Sequence, residues 1–140
     1  MKQSALKYLS VFLIYFIVDV TYQVFFGIGF AQKAQEAAGI KDIFVTDIEN
    51  PVYILVWFVI MTVAIVKLVV DPAVDAKSIK TAVFNGMLLG VTAYATLALP
   101  NGWSIANYPW ILVLEVTLEG FIFAPVAASL TTWWLIRPRS

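Results

Sequence analysis

Polar and turn-forming stretches cut the chain into four long apolar runs: Ala5 to Phe30, Pro51 to Val70, Ser78 to Leu99 and Tyr108 to Ile136. One crossing of a bilayer's hydrocarbon core takes about 20 apolar residues in helical form, so each run is long enough to span. Inside lipid the backbone must satisfy its own hydrogen bonds, which leaves helices as the economical solution for separate runs of this length. Short links between such helices make neighbours antiparallel. The pattern therefore predicts an all-α integral membrane four-helix antiparallel bundle, one transmembrane domain over residues 1–140.

The links differ in character. Residues 31–50, with Lys33, Glu36, Lys41, Asp42, Asp47 and Glu49 and a helix stop at Gly39, are expected to form the one sizeable loop. Asp71 to Lys77 is expected to be a short turn, with Pro72 ending one helix, and Pro100 to Asn107 carries no charge. Most basic residues (Lys2, Lys7, Lys67, Lys77, Lys80, Arg137 and Arg139) fall on the side of the two termini, and only Lys33 and Lys41 fall opposite. By the positive-inside rule both termini are expected in the cytoplasm and the 31–50 loop outside. Tyr53, Trp57, Trp103, Tyr108, Trp110, Trp133 and Trp134 cluster toward the ends of the runs, where amphipathic rings favour the headgroup region.

Composition agrees and narrows the chemistry. The chain is 61% hydrophobic and 13% charged with mean hydropathy +0.88, far from the profile of a water-soluble domain. It has no cysteine and no histidine, so disulfides, structural zinc, His- or Cys-ligated haem, iron–sulfur clusters and Cys or His nucleophiles are ruled out. No cofactor and no metal is expected. A net charge of zero without a basic run gives no reason to expect nucleic acid as a partner. The expected partners are the lipid bilayer and further copies of the chain or other membrane subunits.

Three acids interrupt the apolar runs: Asp19 in the first, Glu115 and Glu119 in the fourth. An Asp at the centre of a spanning helix costs about 3 kcal/mol even on the permissive insertion scale, so such groups face the bundle interior or a wet cavity. At a rise of about 1.5 Å per residue, Asp19 and Glu115 reach similar depths, and Tyr94 of the third run joins them with Thr92 and Thr96 on either side. Glu119 lies one turn from Glu115 on the same face, and Tyr22 and Gln23 extend the face of Asp19. The candidate proton- or ion-binding residues are therefore Asp19, Glu115, Glu119, Tyr94, Tyr22 and Thr96. With no lysine or arginine at this level, at least one carboxyl is expected to hold its proton at neutral pH. The bland alternative is that these groups only glue helices together by hydrogen bonds.

Lys67 and Asn85 form a second polar pair near the terminal side, though Lys67 can also simply reach lipid headgroups. Gly86 and Gly90 make a small-xxx-small pair, read as helix packing inside one chain rather than between chains. Pro125 removes a backbone donor below the acidic pair and can bend the fourth helix.

Three short elements resemble the small four-helix bacterial membrane proteins of the domain of unknown function 2177 family. They are Asp19-Val20-Thr21-Tyr22, the run Gly90-Val91-Thr92-Ala93-Tyr94-Ala95-Thr96, and Gly102-Trp103; an acid shortly before Gly120 adds to them. The chain departs where the family has an Asp-Leu-Thr-Asn-like stretch, since Leu97-Ala98-Leu99-Pro100-Asn101 stands there without its acid. The resemblance implies a four-span fold in a bacterial inner (plasma) membrane and implies no activity. Three functions remain open on the residues: ion- or proton-coupled transport or conductance at the carboxylates, a non-catalytic accessory or assembly subunit of a larger complex, and a lipid-modifying enzyme. The last ranks lowest, because no nucleophile, phosphate-loop or cofactor motif is present.

Overall fold

The computed structural model describes residues 2–40 and 51–138, and every regular element among them is helical. Helix α1 (Lys2–Tyr22) passes through a π-helical turn, Gln23–Gly27, into α2 (Ile28–Ala37). Helix α3 (Pro51–Ile65) passes through a second π-helical turn, Val66–Val70, into α4 (Asp71–Asp75). Helices α5 (Ile79–Ser104) and α6 (Trp110–Ile136) follow. Four rods result that are long and apolar enough to cross a membrane: Ser4–Ala37, Ile54–Asp75, Ile79–Ser104 and Trp110–Ile136.

The rods outrun their expected ends in three places. Residues from Ala31 onward continue as helix to Ala37 instead of opening into a loop. Ala31, Ala34, Gln35 and Ala38 turn inward while Gln32, Lys33, Glu36 and Ala37 stay exposed, the i, i+3, i+4, i+7 stripe of an amphipathic helix. Ala31 and Ala34 pack on Ala98, Tyr108, Leu112 and Val113. The helix stops at Gly39, whose φ of +70° lets the Ile40 N–H turn back to the Gln35 carbonyl at 3.0 Å, a conformation that glycine adopts without steric penalty. The rest of the expected loop, 41–50 with Lys41, Asp42, Asp47 and Glu49, lies outside the described residues, as does Arg139.

Pro72 does not end the second rod. In the wide turn before it the Asp71 N–H bonds to the Val66 carbonyl, which shifts the hydrogen-bond register and leaves Pro72 at the start of a fresh helical turn, where its missing donor costs little. The rod stops instead at Lys77, with φ +48°, after which the Ser78 N–H bonds to the Ala73 carbonyl at 2.9 Å and the Ser78 hydroxyl accepts from the Thr81 N–H at 3.2 Å to open α5. Helix α5 likewise continues through Pro100 to Ser104.

Apolar surface gains little from clustering in lipid, so helices associate there through close packing, which small residues permit. At the crossing of α5 and α6 the backbones touch. A Cβ on Gly90 would stand 1.8 Å from the Gly120 carbonyl oxygen, and one on Gly120 would stand 2.3 Å from that of Gly90. One turn on, a Cβ on Gly86 would lie 2.6 Å from Pro125 Cα. The small-xxx-small pair thus packs within the chain, and Pro125 sits buried in the notch left by Gly86 in an unbroken α6. Phe58 of α3 receives the rings of Tyr15 and Phe16 edge-on at 5.4 and 5.1 Å. An ion pair between Lys7 and Asp71 ties the start of α1 to α4. Residue 7 near the start of the first rod meets residue 71 near the end of the second, and the contacts of 90 with 120 and 86 with 125 run in opposite senses along α5 and α6, so these neighbours are antiparallel. Long apolar side chains such as Ile17, Leu55, Val59, Leu88 and Leu118 remain exposed on the outside of the bundle, the surface that lipid covers.

Candidate functional site

One stripe of the first rod carries Tyr15, Asp19, Tyr22 and Gln23, at i, i+4, i+7 and i+8, and it faces the middle of the bundle. The π-helical turn begins at its end: the Ile28 N–H reaches back five residues to the Gln23 carbonyl, and the turn holds one residue more than an α-helical one. Two consecutive side chains there both reach α6. The Tyr22 hydroxyl donates to Glu115 Oε1 at 2.7 Å, and Gln23 Nε2 donates to Glu119 Oε1 at 3.0 Å. Gly27 makes room for both, since a Cβ on it would meet Gln23 Oε1 at 2.3 Å and the Tyr22 ring at 3.1 Å.

Glu115 and Glu119 stand one turn apart on α6, close enough to interact with each other. Glu119 is 6% exposed, while Glu115 is half-buried nearer the surface. Asp19 is half-buried within electrostatic reach of Glu119, Tyr15 and Tyr94. Depth counting pairs Asp19 with Glu115, but the observed register pairs Tyr22 with Glu115 and sets Asp19 nearer Glu119. The first rod is 34 residues long, so depth counted from its start places its residues wrongly by about a turn.

Tyr94 is buried, yet it does not bond a carboxylate: its hydroxyl lies 2.5 Å from that of Tyr15, under the Trp57 ring at 5.8 Å. Thr96 is exposed and returns its hydroxyl to the Thr92 carbonyl of its own helix at 2.7 Å, so it stands apart from the cluster. Lys67 is exposed and pairs with Asp71 at 3.4 Å, four residues on, rather than with Asn85. Among the described residues no three acidic, histidine or cysteine side chains gather closely enough to hold a metal ion, so Asp19, Glu115 and Glu119 do not form a common oxygen cage.

The two glutamates line a groove of about 330 Å³ between the first rod and α6. Glu119 and Phe123 form its buried floor, Tyr22 and Glu115 one side, and Phe30, Leu114, Leu118 and Ile122 its exposed rim. Just before the start of α6, Tyr108 is buried.

Gln23, expected on the face of Asp19, joins this constellation, and so do Tyr15 and Gly27, which were not expected there. Tyr15 lies four residues before Asp19 and Gln23 four after it, so the spacing exposes both. Nothing in the sequence announces the wide turn that gives Gly27 its importance.

Four apolar, antiparallel rods with a polar seam between the first and the last define a polytopic helical membrane protein. Within that class, the chain belongs to the family described as "Predicted membrane protein (DUF2177)", which matches residues 4–133. No curated protein and no solved structure matches it.

Proposed function

We propose that this protein is a proton-coupled transporter whose working groups are Glu115 and Glu119, with Asp19 beside them and Tyr22 and Gln23 as donors from the facing helix. One observation carries the reading: two acids on one spanning helix are each held by a neutral donor, with no basic side chain among the described residues at the groove they line. Mere glue between helices needs no charge, and an amide or hydroxyl does it at lower cost. Two carboxylates one turn apart on the same helix repel each other when both are charged. The pair is therefore satisfied by one added positive charge at a time, either a proton or a cation, and this alternation is the basis of exchange. The spread of the three acids favours protons or a diffuse cation over a coordinated metal ion.

A four-helix bundle has little interior, so a second copy of the chain is expected to complete the path across the membrane. The test is proton flux into proteoliposomes under an imposed potential, followed with an internal pH dye. The Glu115→Gln, Glu119→Gln double variant should fall to the rate of protein-free vesicles. Undiminished flux in that variant would overturn the proposal, and a native mass that includes a different, stoichiometric protein would favour an accessory role.

A further inference from the structure

We infer that the groove between the first rod and α6 takes a hydrophobic organic cation that arrives sideways from the lipid; this deepens the transport reading and rests on it. The argument begins with where the groove opens. Its rim residues Leu114, Leu118 and Ile122 are 59%, 58% and 49% exposed, and they lie on a rod that spans the membrane. Exposure on such a rod means contact with acyl chains, so whatever fills the groove comes out of lipid and must itself be largely apolar. Glu115 sits five residues below Trp110, or about 8 Å along the helix axis, which is deeper than a headgroup rests.

Charge then selects among apolar ligands. Among the described residues, Glu115 and Glu119 are the only charged ones that line the groove, and no basic one lines it. An anionic amphiphile would meet two uncompensated acids in a low dielectric and is rejected. A neutral one would leave them uncompensated. A small metal ion would find carboxylates on one side and hydrocarbon on the other. A bulky cation with its charge shielded by apolar groups fits both: the groups pack against Leu118 and Ile122 while the charge faces the acids. The aromatic faces of Tyr22, Phe30 and Phe123 in the lining add attraction for such a cation. The volume, about 330 Å³, matches the low end of sites for drug-sized molecules.

The ligand and the proton compete for the same carboxyl pair, which links binding to proton release. Tetraphenylphosphonium and tetraphenylborate, nearly the same shape with opposite charge, test the inference on the full chain in maltoside micelles by equilibrium dialysis. The expected result is saturable phosphonium binding that weakens as pH falls, with no saturable borate binding. Glu115→Gln combined with Glu119→Gln should abolish it. Leu118→Trp, which narrows the groove and keeps both acids, should weaken it by an order of magnitude or more. Absence of saturable phosphonium binding, equal binding of the borate, or indifference to Leu118→Trp would each overturn the inference. Proton flux into proteoliposomes made from the same purified protein, with the phosphonium on one side, separates the two readings. Carboxylate-dependent flux without phosphonium binding sinks the ligand class and leaves transport standing, whereas binding that is saturable and carboxylate-dependent without any flux upholds the ligand and sinks transport.

Discussion

Adding one methyl group to Gly90 and one to Gly29 is the same chemical change in the same fold, and the structure assigns the two opposite signs. At Gly90 the new Cβ would lie 1.8 Å from the Gly120 carbonyl oxygen, 2.6 Å from its carbon and 3.2 Å from Ala124 Cβ. Ordinary carbon–oxygen contact needs about 3.3 Å, so α5 and α6 must part by about 1.5 Å. The obstructing atoms are backbone, and no rotamer change relieves them. A gap of half an ångström to one ångström already forfeits about a quarter to a half of each van der Waals contact. The loss runs along the crossing to Gly86 and Pro125. Overpacking costs about 1–3 kcal/mol in general, and this site belongs at the top of that range, near 3 kcal/mol. At Gly29 a Cβ would have nothing within 4 Å, so only the helix preference acts. Alanine gains about 0.5–1 kcal/mol over glycine inside a helix. Reversible unfolding by steric trapping in one detergent compares the two variants with the parent. Gly90→Ala should lose about 3 kcal/mol while Gly29→Ala gains a fraction of one. Stability of Gly90→Ala equal to that of the parent would refute the close-packed crossing.

Three further substitutions probe separate features. Gly27→Ala should fold normally, because the atom in its way is the end of the flexible Gln23 side chain, but it should break the Gln23–Glu119 hydrogen bond; infrared difference spectra against Glu119→Gln will show a shifted carboxyl stretch, and an unmoved band would sink this account. Thr131 is 1% exposed and, among the described residues, its hydroxyl has no hydrogen-bond partner, so Thr131→Val should stabilise by about 1 kcal/mol, and a loss of that size would refute this account of the hydroxyl. Lys77 holds a left-handed φ of +48°, so Lys77→Gly should raise thermal stability by about 0.5 kcal/mol after the entropy of glycine is counted. A lower melting temperature in that variant would mean that the lysine charge matters more than its backbone.

The four spans were legible because hydrophobic run length is a first-order consequence of bilayer thickness, and Asp19, Glu115 and Glu119 stood out as acids inside apolar runs. The stripe Tyr15, Asp19, Tyr22, Gln23 was also written in the spacing. What misled was polarity at the ends. Gln32, Lys33 and Glu36 suggested loop, yet Ala31, Ala34, Gln35 and Ala38 repeat at helical intervals and pack on the bundle. Pro72 suggested a stop because the wide turn that accommodates it leaves no mark in sequence. Tyr94 and Thr96 were assigned by depth alone, and depth cannot distinguish a hydroxyl that meets Tyr15 or its own helix from one that meets an acid.

The π-helical turn at Gln23–Gly27 has a consequence for how the first rod can change length. Gln23 and Gln35 both turn toward the bundle, the one bonded to Glu119 and the other buried. Twelve steps of about 100° would leave them about 120° out of phase on a regular helix. The wide turn absorbs one residue, and eleven effective steps leave them only about 20° apart. The rod thus carries a slack residue at this point: losing one from the turn, such as the outward-facing Phe25, keeps Gln23 and Gln35 in phase, whereas losing one between the turn and Gln35 swings the end of α2 off the bundle. Within the first rod, chain length and helix orientation are decoupled at the same turn that presents two adjacent donors to the acids of α6.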